Sequence, residues 1–190
     1  MNKSPEPLTP IQFRKTMGLF ATGVTVMITE ADNQVHGMTA NSVSSLSLDP
    51  MLILICVKKN SKSSELVKKA GFFSINILSS HQEVLSNYFA GIDQGRKVEF
   101  HMVPWNEGKR LEGCLASILC AVDGILEGGD HWIVIGKVRA LHWDKKADDP
   151  LLVFGGSYRS LSSQPIAPAP DTFDPLTNIP QIFYDPWESQ

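Results

Sequence analysis

Apolar positions along the chain follow two periods. Phe13, Met17 and Phe20 recur at helical spacing behind Thr9, Pro10 and Gln12, a capping-box start with proline at the first helical position. This predicts a helix, closed by the Thr22-Gly23 pair. β-Branched residues then take over: residues 24–29 read as a strand, Asp32-Asn33 as a turn and residues 35–39 as the returning strand. Residues 41–47 break the pattern and read as an ordered loop or a short irregular strand. Residues 51–57 lack polar alternation, which predicts a strand buried on both faces. A short helix over 64–70, stopped by Gly71, leads to a strand over 72–78. Ser80 with Glu83 forms a second capping box, opening a helix that runs to about Phe89. Residues 91–110 read as loop with a short strand at 98–102. Long strand patterns at 114–127 and 131–143 flank Gly128-Gly129, a hairpin signal, and 151–154 is a last short strand. Most neighbouring strands lack the helix that a parallel crossover needs. The expected fold is therefore mainly β with a few short helices, an antiparallel barrel rather than a doubly wound sheet.

Residues 1–161 are expected to form one domain. Residues 162–190 differ: they hold half of the 12 prolines and cannot supply a central strand. They also carry Phe173, Phe183, Tyr184 and Trp187. We expect an extended arm packed on the barrel or on a partner subunit, with a disordered tail as the alternative.

Composition narrows the function. With 190 residues, 43% hydrophobic and 19% charged, the chain can bury a real core and is not a disordered one. A net charge of -3, from 17 Lys+Arg and 20 Asp+Glu, argues against a nucleic-acid-coating protein while leaving room for a local basic pocket. The longest apolar run, residues 51–57, falls far short of the roughly 20 residues a bilayer requires. Residues 1–10 show no apolar stretch of a secretory leader. Cys56, Cys114 and Cys120 are odd in number and form no Cys-x-x-Cys, as expected of reduced thiols in the cytoplasm. No Gly-x-Gly-x-x-Gly follows a strand and no phosphate-binding P-loop occurs. Gly155-Gly156-Ser157-Tyr158-Arg159 matches a nucleophile elbow only in part. The five histidines have no metal-ligand spacing, so no metal is expected.

Four segments carry candidate chemistry. The run from Thr39 through Ala40, Asn41, Ser42, Ser44, Ser45 and Ser47 offers hydroxyls and amides to a heteroaromatic edge or a phosphate; its plainer reading is a surface loop. Lys58-Lys59-Asn60-Ser61-Lys62-Ser63 places cations and hydroxyls before a helix start, which suits a phosphate or is an ordinary solvated lysine cluster. His131, after Gly129-Asp130, can line a pocket mouth and exchange a proton, or be a structural histidine. Gly155-Gly156-Ser157-Tyr158 allows close backbone approach with Tyr158 over a flat ligand, or is a barrel-end turn.

Five pieces in order resemble the flavin reductase-like, FMN-binding split-barrel family: Phe13-Arg14 with Phe20-Ala21-Thr22-Gly23-Val24, then Gly37-Met38-Thr39-Ala40-Asn41-Ser42, Ser47-Leu48-Asp49-Pro50, Gly129-Asp130-His131, and the Gly-Gly-x-Tyr ending at Tyr158. The resemblance covers about residues 11–160. It implies a homodimeric split barrel binding FMN, or FAD in some members, reduced by NADH or NADPH and handed to a separate monooxygenase. By this resemblance Thr39, Ala40, Asn41 and Ser42 contact the isoalloxazine edge, with Ser44, Ser45 and Ser47 nearby. Cys56, Val57 and Lys58 line the ring and ribityl chain, and Ser61 and Ser63 bind the phosphate. Phe89, Ala90 and Arg96 match a segment that closes on the flavin. His131, the candidate catalytic residue, and Tyr158 match positions near the nicotinamide. The cofactor carries the hydride chemistry, so no protein nucleophile is implied. The alternative is a tightly bound FMN electron carrier without NAD(P)H turnover.

Overall fold

A computed structural model of the chain describes residues 7–92, 95, 97–144 and 149–161. The elements in order are α1 (Pro10–Met17), β1 (Thr22–Gly23), β2 (Thr25–Ala31), β3 (Gln34–Ala40), β4 (Val43–Leu48), β5 (Met51–Lys58), α2 (Lys62–Ala70), β6 (Phe72–Ile77), a 3-10 turn (Ser80–Gln82), α3 (Glu83–Phe89), β7 (Met102–Trp105), β8 (Gly108–Leu111), β9 (Ala116–Gly128), β10 (His131–Trp143), β11 (Leu152–Phe154) and β12 (Ser157–Arg159). The protein is mainly β, with three short α-helices. Seven strands form one antiparallel sheet in the order β3-β2-β6-β9-β10-β5-β4. Among the described residues no ladder joins β3 to β4, so the sheet is open at both edges. Two small sheets, β1-β11-β12 and β7-β8, lie beside it.

Local chemistry explains most boundaries. The Thr9–Gln12 capping box forms as expected. Asp32 and Asn33 both adopt positive φ, 52° and 59°, the geometry of a tight two-residue hairpin turn. Gly71 closes α2 at φ 68°. The irregular strand expected around residues 41–47 is β4, kinked by a bulge between Ser45 and Ser47.

Several expectations need correction. Helix α1 ends at Gly18 instead of reaching Thr22, and none of its residues is buried; Phe13 and Phe20 are each 67% exposed. Its apolar residues Ile11, Phe13 and Met17 are left largely exposed. Strand β5 is buried on one face only, because Ile53, Ile55 and Val57 are buried while Leu52, Leu54 and Cys56 are half-exposed. A run of uniform apolarity hides its period of two. The second helix cap is Ser79, whose N–H donates to Gln82 Oε1 at 2.9 Å, not Ser80 with Glu83. The strand expected at 98–102 is displaced: residues 98–101 are not in a strand, and Met102 begins β7 of the β7-β8 hairpin. In the β9-β10 hairpin Gly128 still pairs with His131, so the turn residues are Gly129 and Asp130.

Two apolar clusters flank the central strands. One joins Met27, Ile55, Val57, Phe73, Ile75 and Val134 with Val67 of α2. The other joins Val26, Ile28, Leu78, Leu85, Leu111 and Leu151. At the first of these Gly136 packs so close to Phe73 that a Cβ there would lie 2.5 Å from the ring. No helix among the described residues is long and apolar enough to cross a membrane.

Candidate functional site

Register decides which candidate residues meet. Residues directly opposite on paired strands project to the same sheet face. On β5 and β10, Lys58 lies opposite His131, Cys56 opposite Ile133 and Leu54 opposite Ile135. On β4, Ser44 lies opposite Leu54 and Ser47 opposite Leu52. Lys58, His131, Cys56, Ser44 and Ser47 therefore share the outer face of the sheet. The β4 bulge takes up Leu46 and returns Ser47 to the Ser44 face. Ser42 joins this row, because its Oγ donates to the Cys56 carbonyl at 3.2 Å and its own carbonyl accepts from Cys56 N–H at 3.3 Å. Val57 and Ser45 point to the opposite face. Val57 is fully buried, so it offers a ligand only its backbone.

At the end of β5 the chain turns sharply through Asn60, whose φ is 58°. Ser61 caps α2: its Oγ accepts from Ser64 N–H at 3.2 Å and donates to the Lys58 carbonyl at 2.7 Å. Ser63 is only 2% exposed, inside the first turn of α2. Lys59 N–H donates to the Asp130 carbonyl at 3.0 Å, which ties this basic turn to the β9-β10 hairpin. His131 Nδ1 lies 2.8 Å from Asp130 Oδ1. That bond, and then the imidazole's charge, hold the Asp130 carboxyl below its ordinary range. Donation from Nδ1 to Asp130 leaves Nε2 to face a ligand.

A pocket of about 390 Å³ includes Thr39, Ala40, Asn41, Ser86, Asn87 and Tyr158 in its lining. Asn41 Nδ2 donates to Thr22 Oγ1 at 3.2 Å, and Thr39 Oγ1 donates to the Ser86 carbonyl at 2.6 Å. The Tyr158 hydroxyl donates to Asn87 Oδ1 at 3.0 Å and lies 2.9 Å from Ser86 Oγ. With its one proton committed to Asn87, Tyr158 must accept from Ser86. Tyr158 thus ties the β11-β12 hairpin to α3. Ser86 and Asn87 escaped the sequence reading, since a polar pair on a short helix carries no signal until Tyr158 is beside it.

Phe89 lines a separate pocket of about 480 Å³ that includes His36 and Gly37. Its ring packs with Tyr88 and Phe100, both at 5.1 Å, and so close to Gly37 that a Cβ there would lie 2.5 Å away. Burial, followed by the charge of Lys62, lowers the His36 pKa. Ala90 caps α3 and is exposed. Arg96 and the expected arm at 162–190 lie outside the described residues.

The structure thus assembles two adjoining groups. Ser42, Ser44, Ser47, Cys56, Lys58 and His131 share a face with Ser61 at its corner, and Thr39, Ala40, Asn41 and Tyr158 share a pocket. Asn41 and Ser42 are consecutive, so the groups meet there. Hydroxyls and amides beside lysines and a helix start suit a flat heteroaromatic ligand with an anionic tail. Among the described residues, no cluster of His, Cys, Asp and Glu could hold a metal ion. Burial pushes the Cys114 and Cys120 thiols up to about 11 and about 12, so neither supplies a thiolate near neutral pH.

Residues 17–162 match the family model described as the flavin reductase like domain. The chain belongs to this family. It is 38% identical over 159 residues to an NADH-dependent flavin reductase of a Rhodococcus species, covering 81% of this chain and 88% of that one. It is 33% identical over 169 residues to HsaB, the reductase subunit of a flavin-dependent monooxygenase from Rhodococcus jostii, covering 87% and 85%. The solved structure of the flavin reductase PheA2 superposes with a TM-score of 0.78 at 38% identity, covering 82% of this chain and all of that one. Shared family and matching architecture put the hydroxyl-rich row and the basic turn in a flavin-reducing scaffold.

Proposed function

We propose that this protein is an NAD(P)H-dependent flavin reductase that binds FMN or FAD and supplies reduced flavin to a separate monooxygenase. The observation that carries the site assignment is the common outer face of Ser42, Ser44, Cys56, Lys58 and His131 in a chain of this family. When bound, the flavin supplies the two-electron acceptor chemistry. The chain's own residues bind and orient. Asn41, Ser42 and Ser44 offer amides and hydroxyls to the ring edge, where fixed donors stabilise developing negative charge. Lys58 and Lys62 hold the anionic end, with Ser61 turning its hydroxyl proton from the Lys58 carbonyl to the anion. His131, oriented through Nδ1 by Asp130, presents Nε2 to the nicotinamide. Tyr158 holds the wall of the Asn41 pocket in place.

The active form in this proposal is a cytoplasmic homodimer of split barrels, each built from a domain at 1–161 with the arm at 162–190 packed against it or its partner. Half-exposed Leu52, Leu54, Ile133 and Ile135 lie on the same sheet face as the candidate site, and an apolar face of this kind supports a second copy as its cover. The test is anaerobic addition of NADH, and then NADPH, to purified protein supplied with FMN or FAD. Rapid bleaching supports the reductase and identifies its donor. Bound flavin that bleaches with dithionite but with neither nucleotide instead indicates an electron carrier. His131→Ala is expected to raise the KM for the nicotinamide nucleotide severalfold with flavin affinity retained, and unchanged kinetics would remove His131 from the site.

A further inference from the structure

Two consecutive lysines at the end of β5 have opposite fates. Alternation along a strand sends neighbouring side chains to opposite faces. Lys58 goes to the outer face opposite His131, and Val57 faces inward opposite Trp132. Lys59 follows Val57 inward. Its Nζ lies 4.5 Å from the centre of the Trp132 ring and 3.3 Å from Glu127 Oε1, and its backbone N–H donates to the Asp130 carbonyl at 3.0 Å. Lys59 is thus held at three points, all on the β9-β10 hairpin. Lys68 of α2 adds a second ammonium at 3.6 Å from the same ring. Trp132 itself is half-buried against the main apolar cluster, so it is a fixed platform.

We propose that Lys59 and Trp132 are positioning residues: a clamp that holds the basic turn at residues 58–61 against the β9-β10 hairpin and so presents Lys58 and Ser61 to the anionic end of the flavin. This rests on the reading that the flavin phosphate sits at that turn. Of the four lysines near the turn, Lys59 and Lys68 are engaged by Trp132, which leaves Lys58 and, across a loose exposed pair with Glu65 at 4.0 Å, Lys62 to meet an anion. The Lys59–Glu127 pair contributes little, because Glu127 is 76% exposed and such surface pairs are weak. The contact with the partly desolvated indole is the stronger anchor. The same clamp also sets the spacing between the turn and His131, since both ends of the Asp130–Lys59 bond adjoin them.

The test compares binding of riboflavin, which has no phosphate, with binding of whichever of FMN or FAD the intact protein holds more tightly. Trp132→Leu and Lys59→Met are each expected to weaken the phosphorylated flavin about three- to tenfold with riboflavin unchanged. Lys59→Arg, which also stacks on indole, is expected to restore the ratio. Lys58→Met should lower the same ratio by removing a direct contact. If Lys58→Met lowers it while both clamp variants keep the wild-type ratio, the clamp is overturned and the phosphate reading stands. If Lys58→Met also leaves the ratio unchanged, the phosphate does not sit at this turn and both ideas fail. Equal weakening of both ligands by the clamp variants would mark a general structural defect and overturn the proposal. Lys59 keeps a quarter of its side chain exposed and methionine retains its unbranched stem, so Lys59→Met keeps the test valid should Trp132→Leu fail to fold.

Discussion

Asn76 has no exposed surface, and every polar atom of its side chain is paired. Its Nδ2 donates to the Val26 carbonyl and Ser74 Oγ, while its Oδ1 accepts from Leu111 N–H and Ser117 Oγ. One amide therefore joins β2, β6, β8 and β9. Asn76→Leu would leave the buried Leu111 N–H without its acceptor and strand the Ser117 hydroxyl. A loss of at least about 2 kcal/mol is expected, read from urea unfolding. The thiols give a second residue-scale prediction. A thiol reagent at neutral pH should leave Cys114 and Cys120 unlabelled in the native protein and reach them only on unfolding. The pKa of both buried thiols is raised by burial from 9.0 in the unfolded chain, to about 11 for Cys114 and about 12 for Cys120. Between 9 and about 11 the native state holds protons that the unfolded state has lost, so stability falls as pH rises through that window and is fully present below it. Cys120→Ala should flatten this slope by up to about 1.4 kcal/mol per pH unit. His131, Ser42 and Lys58 could be picked out as candidates in the sequence because they fall in glycine, hydroxyl and lysine clusters, while their common sheet face comes only from the strand register. Lys59 and Trp132 could not, because only the register shows that the second lysine faces an indole.

At the scale of elements, the β11-β12 hairpin is short and is fastened to α3 by one hydroxyl. Tyr158→Phe removes both the bond to Asn87 and the acceptor of Ser86. The expected result is a stability loss of about 1 kcal/mol with faster amide hydrogen exchange in β11 and β12. Unchanged exchange there would show that the apolar contacts of the hairpin hold it alone. The long strands β9 and β10 were readable almost to the residue, since alternation sustained over many positions leaves little freedom. The Gly71 stop of helix α2 was readable, while its start at Lys62, behind the Ser61 cap, lies two residues before the expected one. The hairpin β7-β8 and strand β12 were not readable, because strands of three or four residues are set by tertiary pairing and carry no periodic signal of their own. The two-faced reading of β5 failed for a related reason: an all-apolar run fits one buried face or two, and the covering of its outer face is not written in the strand.

For the whole molecule, the fold places the candidate polar residues on one sheet face and its edge while two apolar clusters fill the space around the central strands. The family was legible from five ordered motifs, and the antiparallel architecture from neighbouring strands with no helix between them. The flavin and the nucleotide donor were not separable by sequence, because the same hydroxyls and lysines would suit FMN and FAD alike, and no 2′-phosphate pocket can be located by spacing alone. The central claim is that this chain passes electrons from a nicotinamide nucleotide to flavin. The most direct measurement is stopped-flow absorbance at the long-wavelength flavin band after anaerobic mixing of the protein and flavin with NADH, and separately with NADPH. The account predicts saturable bleaching with at least one donor, at a rate proportional to protein concentration. Flavin that stays oxidised with both donors, in a protein shown to bind it, would contradict the account.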